Sequence, residues 1–310
     1  MKVAALDLGS NTFLCLIAEV IKNKAGESQI EKIYSDQVEI VRLGQDVNKT
    51  KRLHPEALIR ARACLEKFKA TIDLHKPEKI LAMATSAARD SDNRSELFDI
   101  GKKLNIPIEI IPGEKEAHIT YQGSISGQSL NQNRLVIDIG GGSTEFITGN
   151  LNAIFQNISL NIGCVRLTEK HITNQPTSLE EVMNVEKAIE DELIKIQQFN
   201  SIQISEILAV AGTPTTLAAA QLGLIEFDAN KIDGYKLTLT NLLSWKEKLQ
   251  TSTLEQKIAM GLPRGRADVM LIGVIILIQT LKLFNKMELT VSTRGVRHGI
   301  ALEMANRFLP

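Results

Sequence analysis

Two short stretches of the chain carry the residue types that handle phosphate. Gly9, Ser10, Asn11 and Thr12 follow an apolar run closing on Asp7, and Gly140, Gly141, Gly142, Ser143 and Thr144 follow one closing on Asp138. A turn of Gly and Ser directly after a buried strand leaves several main-chain N–H groups pointing one way, which suits phosphate oxygens. Alone, either turn reads as a tight hairpin. The duplication, with Asp two residues ahead of the glycine each time, points to a shared chemistry, because a carboxylate at the mouth of such a turn can hold Mg²⁺ directly or through water. Glu145 adds a further ligand candidate. Gly212 and Thr213 form a third turn after another apolar run.

The elements that must position these residues repeat in order, and the two glycine stretches, V-A-A-L-D-L-G-S-N-T and L-V-I-D-I-G-G-G-S-T, mark two related halves. After the first turn the pattern predicts a strand over 13–20 and another over 30–43. An amphipathic helix over 55–74 follows, in which Leu58, Ala61, Leu65, Phe68 and Ile72 keep helical spacing and Pro55 suits the first position. A strand over 79–84, a helix over 95–104 and a strand over 106–111 complete the half. The second half predicts strands on both sides of its glycine turn, a strand over 154–160, and a helix that Ser178 and Glu181 open as a capping box. A strand over 206–211 comes next, with Pro214 opening a helix, then a buried helix around 269–278, a strand over 289–292 and a helix from Gly295 on. Strands alternating with helices in this order indicate α/β halves carrying mixed sheets.

Five segments together resemble the exopolyphosphatase/guanosine pentaphosphate phosphatase (Ppx/GppA) family: A-L-D-L-G-S-N from Ala5, T-S-A-A-R ending on Arg89, P-G-E-K-E-A from Pro112, I-D-I-G-G-G-S-T-E ending on Glu145, and A-G-T from Ala211. The likeness covers essentially the whole chain, and the Arg89 and G-E-K-E-A segments narrow it beyond the wider superfamily. It implies two ribonuclease-H-like domains of the actin, sugar kinase and Hsp70 superfamily, flanking a phosphate-binding cleft and closing about it. The expected domains are 1–120 and 121–310, with a hinge near Pro112 and Gly113 and the C-terminal helix packing back near it. By the same resemblance Glu116 corresponds to the catalytic base that activates water, with Glu114 as its local rival. Arg89 can grip a phosphate with its planar fork. Glu116 is expected in the first turn of a helix, where the dipole favours a carboxylate. Longer members of the family carry a further helical domain with an HD dyad; the five histidines here form no such dyad, so the short form is expected.

Composition bounds the rest. The 310 residues are 44% hydrophobic and 23% charged, with 36 basic against 36 acidic residues, so overall charge points to no polyanionic partner. Local cationic segments exist: residues 42–69 hold eight Lys or Arg against three acids, and 262–298 hold six against two. Aromatics make up 4% and do not interleave with basic residues, which argues against a nucleic-acid surface. Cys15, Cys64 and Cys164 show no metal or disulfide spacing and read as reduced buried thiols, and no run approaches the roughly 20 apolar residues of a membrane span, so a cytoplasmic chain is expected. The resulting expectation is a Mg²⁺-dependent exopolyphosphatase, with Mn²⁺ as the alternative ion. It would act on inorganic polyphosphate, with guanosine pentaphosphate as the rival substrate, and work as a homodimer. A superfamily kinase or ATPase and a non-catalytic polyphosphate or alarmone sensor are the more distant alternatives.

Overall fold

The structure is a computed structural model that describes residues 1–128 and 130–310, and the chain divides into two units, 1–127 with 294–310, and 128–293. The division departs from the expected one. The boundary falls after Gly127, and Pro112 and Gly113 lie inside the first unit. The C-terminal helix belongs to that first unit as well.

In the first unit, β1 (Lys2–Leu8), β2 (Thr12–Lys22) and β3 (Ser28–Ile40) form an antiparallel meander. After α1 (Val47–Thr50) and α2 (Pro55–His75), β4 (Lys79–Ala84) returns parallel to β1. The short α3 (Ser86–Arg89) and α4 (Ser95–Lys103) lead to β5 (Ile108–Ile110), parallel to β4, and then to α5 (Gly113–Ile125). The sheet order β3-β2-β1-β4-β5 is that of a ribonuclease-H-like fold. α2 forms where its spacing predicts: Pro55 occupies its first turn, the His54 ring accepts from the Glu56 N–H, and Lys76 closes it in a left-handed conformation. It buries Leu58, Leu65, Phe68 and Ile72 against the sheet, each worth about 1.5–3 kcal/mol of transfer free energy.

The second unit repeats the scheme with β6 (Arg134–Ile139), β7 (Thr144–Gly149) and β8 (Ile154–Leu160) antiparallel in sequence. Next come α6 (Cys164–His171), α7 (Leu179–Leu193), a 3₁₀ segment and β9 (Glu206–Val210), which runs parallel to β6. α8 (Gly212–Gln221), α9 (Ala229–Ile232), β10 (Lys236–Thr238), α10 (Leu239–Thr251), α11 (Leu254–Ala259) and α12 (Arg264–Ala267) follow. The buried α13 (Met270–Leu283) and β11 (Glu288–Val291) complete the unit. Its sheet order is β10-β11-β9-β6-β7-β8, the first unit's order with one added edge strand. Ser178 and Glu181 make the predicted capping box. Over Met270–Ile278 α13 is apolar on all sides because that stretch is enclosed by the unit's core, and among the described residues no helix is long and apolar enough to cross a membrane.

α14 (Val296–Phe308) explains the revised division. A Cβ on Gly299 would overlap the Ile119 carbonyl of α5, so glycine there permits backbone-close packing of α14 on α5. Arg297 then reaches Asp36 of β3 through two bonds of 2.7 and 2.8 Å, and Lys115 meets Glu303 at 2.8 Å. Partners so far away in sequence carry no local signal.

Candidate functional site

In the first unit the candidate residues gather because parallel strands end together. Leu8 of β1 pairs with Ala84 of β4, and Ala84 pairs with Ile110 of β5. The segments that follow therefore emerge at the carboxyl ends of neighbouring strands, where open α/β sheets hold their ligands. These segments are the first glycine turn, α3, and the start of α5. Gly9 donates to the Thr12 carbonyl at 3.1 Å. The Asn11 carbonyl accepts from the N–H groups of Val41 and Arg42, at 2.9 and 2.8 Å, and the Ser10 carbonyl accepts from Gly44 at 2.7 Å. With its carbonyls engaged from behind, the turn keeps the Ser10 and Asn11 N–H groups without a protein acceptor among the described residues. Asp7 is 8% exposed at the end of β1.

Glu116 lies in the first turn of α5 and is 6% exposed. Arg89 Nη1 stands 3.3 Å from its Oε2 and donates at 3.1 Å to the Ile111 carbonyl. Glu114, one residue pair earlier on the same helix, is exposed. The family resemblance favours Glu116 over its rival Glu114, and of the two only Glu116 is buried, against the Arg89 guanidinium. Arg89 therefore faces a carboxylate and a carbonyl, a partnership that its strand-end position did not reveal.

The second unit builds its turn by the same device. Gly140 donates to Ser143 at 2.9 Å, the Gly140 carbonyl accepts from Cys164, and the Gly141 carbonyl accepts from Val165 and Arg166, all at 2.9–3.0 Å. Arg166 Nε adds a 2.7 Å bond to the Gly142 carbonyl, and Thr144 Oγ1 bonds the Ile162 carbonyl. The N–H groups of Gly141, Gly142 and Ser143 have no protein acceptor among the described residues. Helix α6, whose first residues brace the turn, was not foreseen, and Arg166 was missed with it. The corresponding position after the third strand of the first unit, Val41 to Gly44, is the signal that could have found it.

Asp138 and Glu145 are direct cross-strand partners in the β6–β7 register, so their side chains share a face, and they are 6% and 1% exposed. Glu145 Oε1 also accepts from Ser159 Oγ at 2.6 Å. Among the described residues no three His, Cys, Asp or Glu side chains are grouped as a metal site. A buried pair of carboxylates still fits Mg²⁺, which commonly takes one or two of them and fills the rest of its octahedron with water and phosphate oxygens.

Asp138 pairs with Val210, so the third turn emerges beside the second. Ala211 takes φ 71°, and Gly212 opens α8. Arg266 Nη1 donates to the Gly212 carbonyl at 3.2 Å and to Thr216 Oγ1 at 3.0 Å, while Thr213, 4% exposed, packs against Gly273. Burial lowers the Arg266 guanidinium below its ordinary value, and burial pushes the nearby Cys164 thiol up to about 11 despite the opposing Arg266 charge.

Some of the basic side chains of residues 42–69 are engaged within the fold, whereas Lys49, Lys51, Arg52 and Arg62 are exposed. Arg60 donates to the Val41 and Arg42 carbonyls, Lys67 pairs with Glu39 and Lys69 with Asp73. All three cysteines are free and buried, with Cys15 and Cys64 raised to about 12 by desolvation.

A model of the Ppx/GppA phosphatase family matches residues 20–308. The chain is 38% identical over 311 residues to the bifunctional 3-dehydroquinate synthase/phosphatase of Fusobacterium nucleatum, covering 97% of this chain but 46% of that one, so it spans about half that relative's length. It is 32% identical over 317 residues to exopolyphosphatase 2 of Mycobacterium tuberculosis, covering 98% of each. Among solved structures, an exopolyphosphatase-like protein matches at TM-score 0.90 and 29% identity over 100% of both chains. The Aquifex aeolicus Ppx/GppA family member matches at 0.81 and 30%, over 100% of this chain and 99% of that one. The repeated glycine turns, the half-buried Arg89–Glu116 pair and a family match running over residues 20–308 lead to one assignment: the chain belongs to the Ppx/GppA phosphatase family.

Proposed function

We propose that the chain hydrolyses the terminal phosphoanhydride bond of inorganic polyphosphate and releases orthophosphate. The observation that carries this reading is the buried Glu116, held by Arg89 at the strand ends where the first glycine turn also lies. Family membership and the exopolyphosphatase relative support the substrate class.

Phosphoryl transfer to water needs an in-line nucleophile, charge neutralisation and a carboxylate within hydrogen-bond reach of that nucleophile. Glu116 takes the proton of the attacking water as its oxygen bonds to the terminal phosphorus and the bridging P–O bond breaks toward the shortened chain. The Ser10 and Asn11 amides in one unit, and those of Gly141, Gly142 and Ser143 in the other, are the donors for phosphate oxygens. Thr12 and Thr144 flank these donors, and Gly212 and Thr213 form the accessory turn. Asp138 and Glu145 would hold Mg²⁺ or Mn²⁺ in the second unit, and Asp7 is the candidate ligand at the equivalent strand end of the first. When bound, that ion supplies neutralisation of phosphate charge.

Phosphate release is measured from polyphosphate and from guanosine pentaphosphate at matched enzyme concentration, with Mg²⁺ and with excess chelator. Faster release from polyphosphate, abolished by chelation, is expected. Preference for guanosine pentaphosphate would reassign the substrate, and undiminished release in chelator would remove the metal from the reading.

A further inference from the structure

Ser10 and Ser86 are joined inside the first unit by a contact that phosphate binding alone does not require. Their hydroxyls lie 2.8 Å apart, with Ser10 5% and Ser86 3% exposed, and the Ala87 N–H donates to Ser10 Oγ at 3.1 Å. Seventy-six residues separate the two serines. They meet because β1 and β4 run parallel and in register to Leu8 and Ala84. The same α3 that starts at Ser86 ends at Arg89, whose N–H donates to Thr85 at 2.9 Å and whose guanidinium holds Glu116. An unbroken chain of hydrogen bonds thus runs from the first turn through Ser10, Ser86 and α3 to the carboxylate.

The chain is needed because α3 has four residues and cannot hold itself. A helix this short is unstable alone, since nucleation costs more than one turn returns. Its N-terminal side-chain acceptor is not the preceding residue, because Thr85 makes no capping bond. Ser10, from a distant strand end, accepts from the Ala87 N–H in its place. A hydroxyl has one proton and two acceptor sites. With Ala87 on one of those sites, Ser10 Oγ still has a site and a proton, so the 2.8 Å bond to Ser86 forms whichever hydroxyl donates.

We propose that Ser86 is a positioning residue: through the Ser10–Ser86 hydroxyl pair it registers α3 on the first glycine turn and so holds Arg89 against Glu116. The inference rests on the hydrolytic reading for its kinetic consequence but not for its structural one. Occupation of the turn by an anion and placement of the water-activating carboxylate are then mechanically linked within one unit.

The test compares Ser86→Ala with Ser91→Ala, a control in the same neighbourhood, where a buried hydroxyl donates to the Ala88 carbonyl at 3.1 Å without touching the turn. Ser86→Ala is expected to lower kcat for polyphosphate by about 10- to 100-fold, the scale of a small misplacement of a reacting group, with KM changed less than about threefold. Arg89→Ala combined with Ser86→Ala should be no slower than Arg89→Ala alone, because both act on one carboxylate. Ser91→Ala should leave kcat within about twofold while lowering stability. Amide hydrogen exchange gives an arm independent of turnover: losing one hydrogen bond should speed exchange at Ala87 and Arg89 by about fivefold in Ser86→Ala. Unchanged protection at both amides, additive kinetic losses in the double variant, or equal kcat losses in the two single variants would each overturn the proposal. If the wild-type chain released no phosphate from any phosphoanhydride, the functional reading would fall, and the exchange comparison would still decide the structural link.

Discussion

Replacing Glu116 by glutamine keeps the shape of the side chain and one acceptor oxygen for Arg89 while removing the only group on α5 that is both buried and basic enough to take a proton. Positioned base catalysis contributes about 10²–10⁴ in rate, or about 3–5 kcal/mol of activation free energy at roughly 1.4 kcal/mol per tenfold. The effect on folding is smaller. The Arg89 and Glu116 side chains are 25% and 8% exposed, so the pair lies between a surface ion pair at about 0.2–1 kcal/mol and a fully buried one whose disruption costs about 3–5 kcal/mol. Arg89 also keeps its Ile111 bond in the variant. A stability loss of about 1 kcal/mol follows, a fall in Tm of about 3 °C, which leaves the chain folded at 25 °C. The assay is steady-state phosphate release from polyphosphate at saturation, paired with a thermal melt of the same preparation. A kcat within tenfold of wild type would refute the assignment, and so would an equal loss in Glu114→Gln, whose parent side chain is exposed.

Two further outcomes follow from other parts of the fold. In Gly163→Ala the new Cβ would stand 2.5 Å from the Gly141 and Gly142 carbonyl carbons, so the second turn must shift; about 1–3 kcal/mol of stability and at least tenfold in kcat/KM should be lost, read by urea unfolding and kinetics, and wild-type values in both would contradict the bracing of that turn. Lys257 is fully buried, donates to Gln175 at 2.9 Å, and is lowered by desolvation to about 8 against the pull of Asp268. Because the folded value lies below the unfolded one of about 10.5, the unfolded chain binds more protons between them and stability rises with pH across that window. Relative to Lys257→Met, the wild type should gain about 1 kcal/mol between pH 7.5 and 9, and a flat difference in chemical-denaturation midpoints over that range would show that the lysine is not titrating.

Much of the fold was legible because the signals were local. Apolar runs closing on Asp7 and Asp138 predicted strand ends, Pro55 a helix start, and Ser178 with Glu181 a capping box that the structure contains. The family resemblance favours Glu116 over Glu114, but no local property of the residues separates them, because both occupy the first turn of one helix; burial beside Arg89 is a difference that only the tertiary structure shows. The boundary after 120 was misplaced for a related reason. Proline and glycine at 112 and 113 resemble a hinge in sequence, yet they open a helix that α14 pins into the first unit.

The linear order of residues by itself determined which kinds of chemistry were present and that they came twice: an acid, then glycines and hydroxyls, each after an apolar strand. Tertiary structure alone decided which groups meet. Parallel pairing of β1 with β4 brings Ser10 to Ser86, and α6 returns to brace the second turn with Arg166. Periodicity reports on neighbours within a turn or a pleat, whereas these contacts are made by strand register and helix docking across 24 residues in one case and 76 in the other.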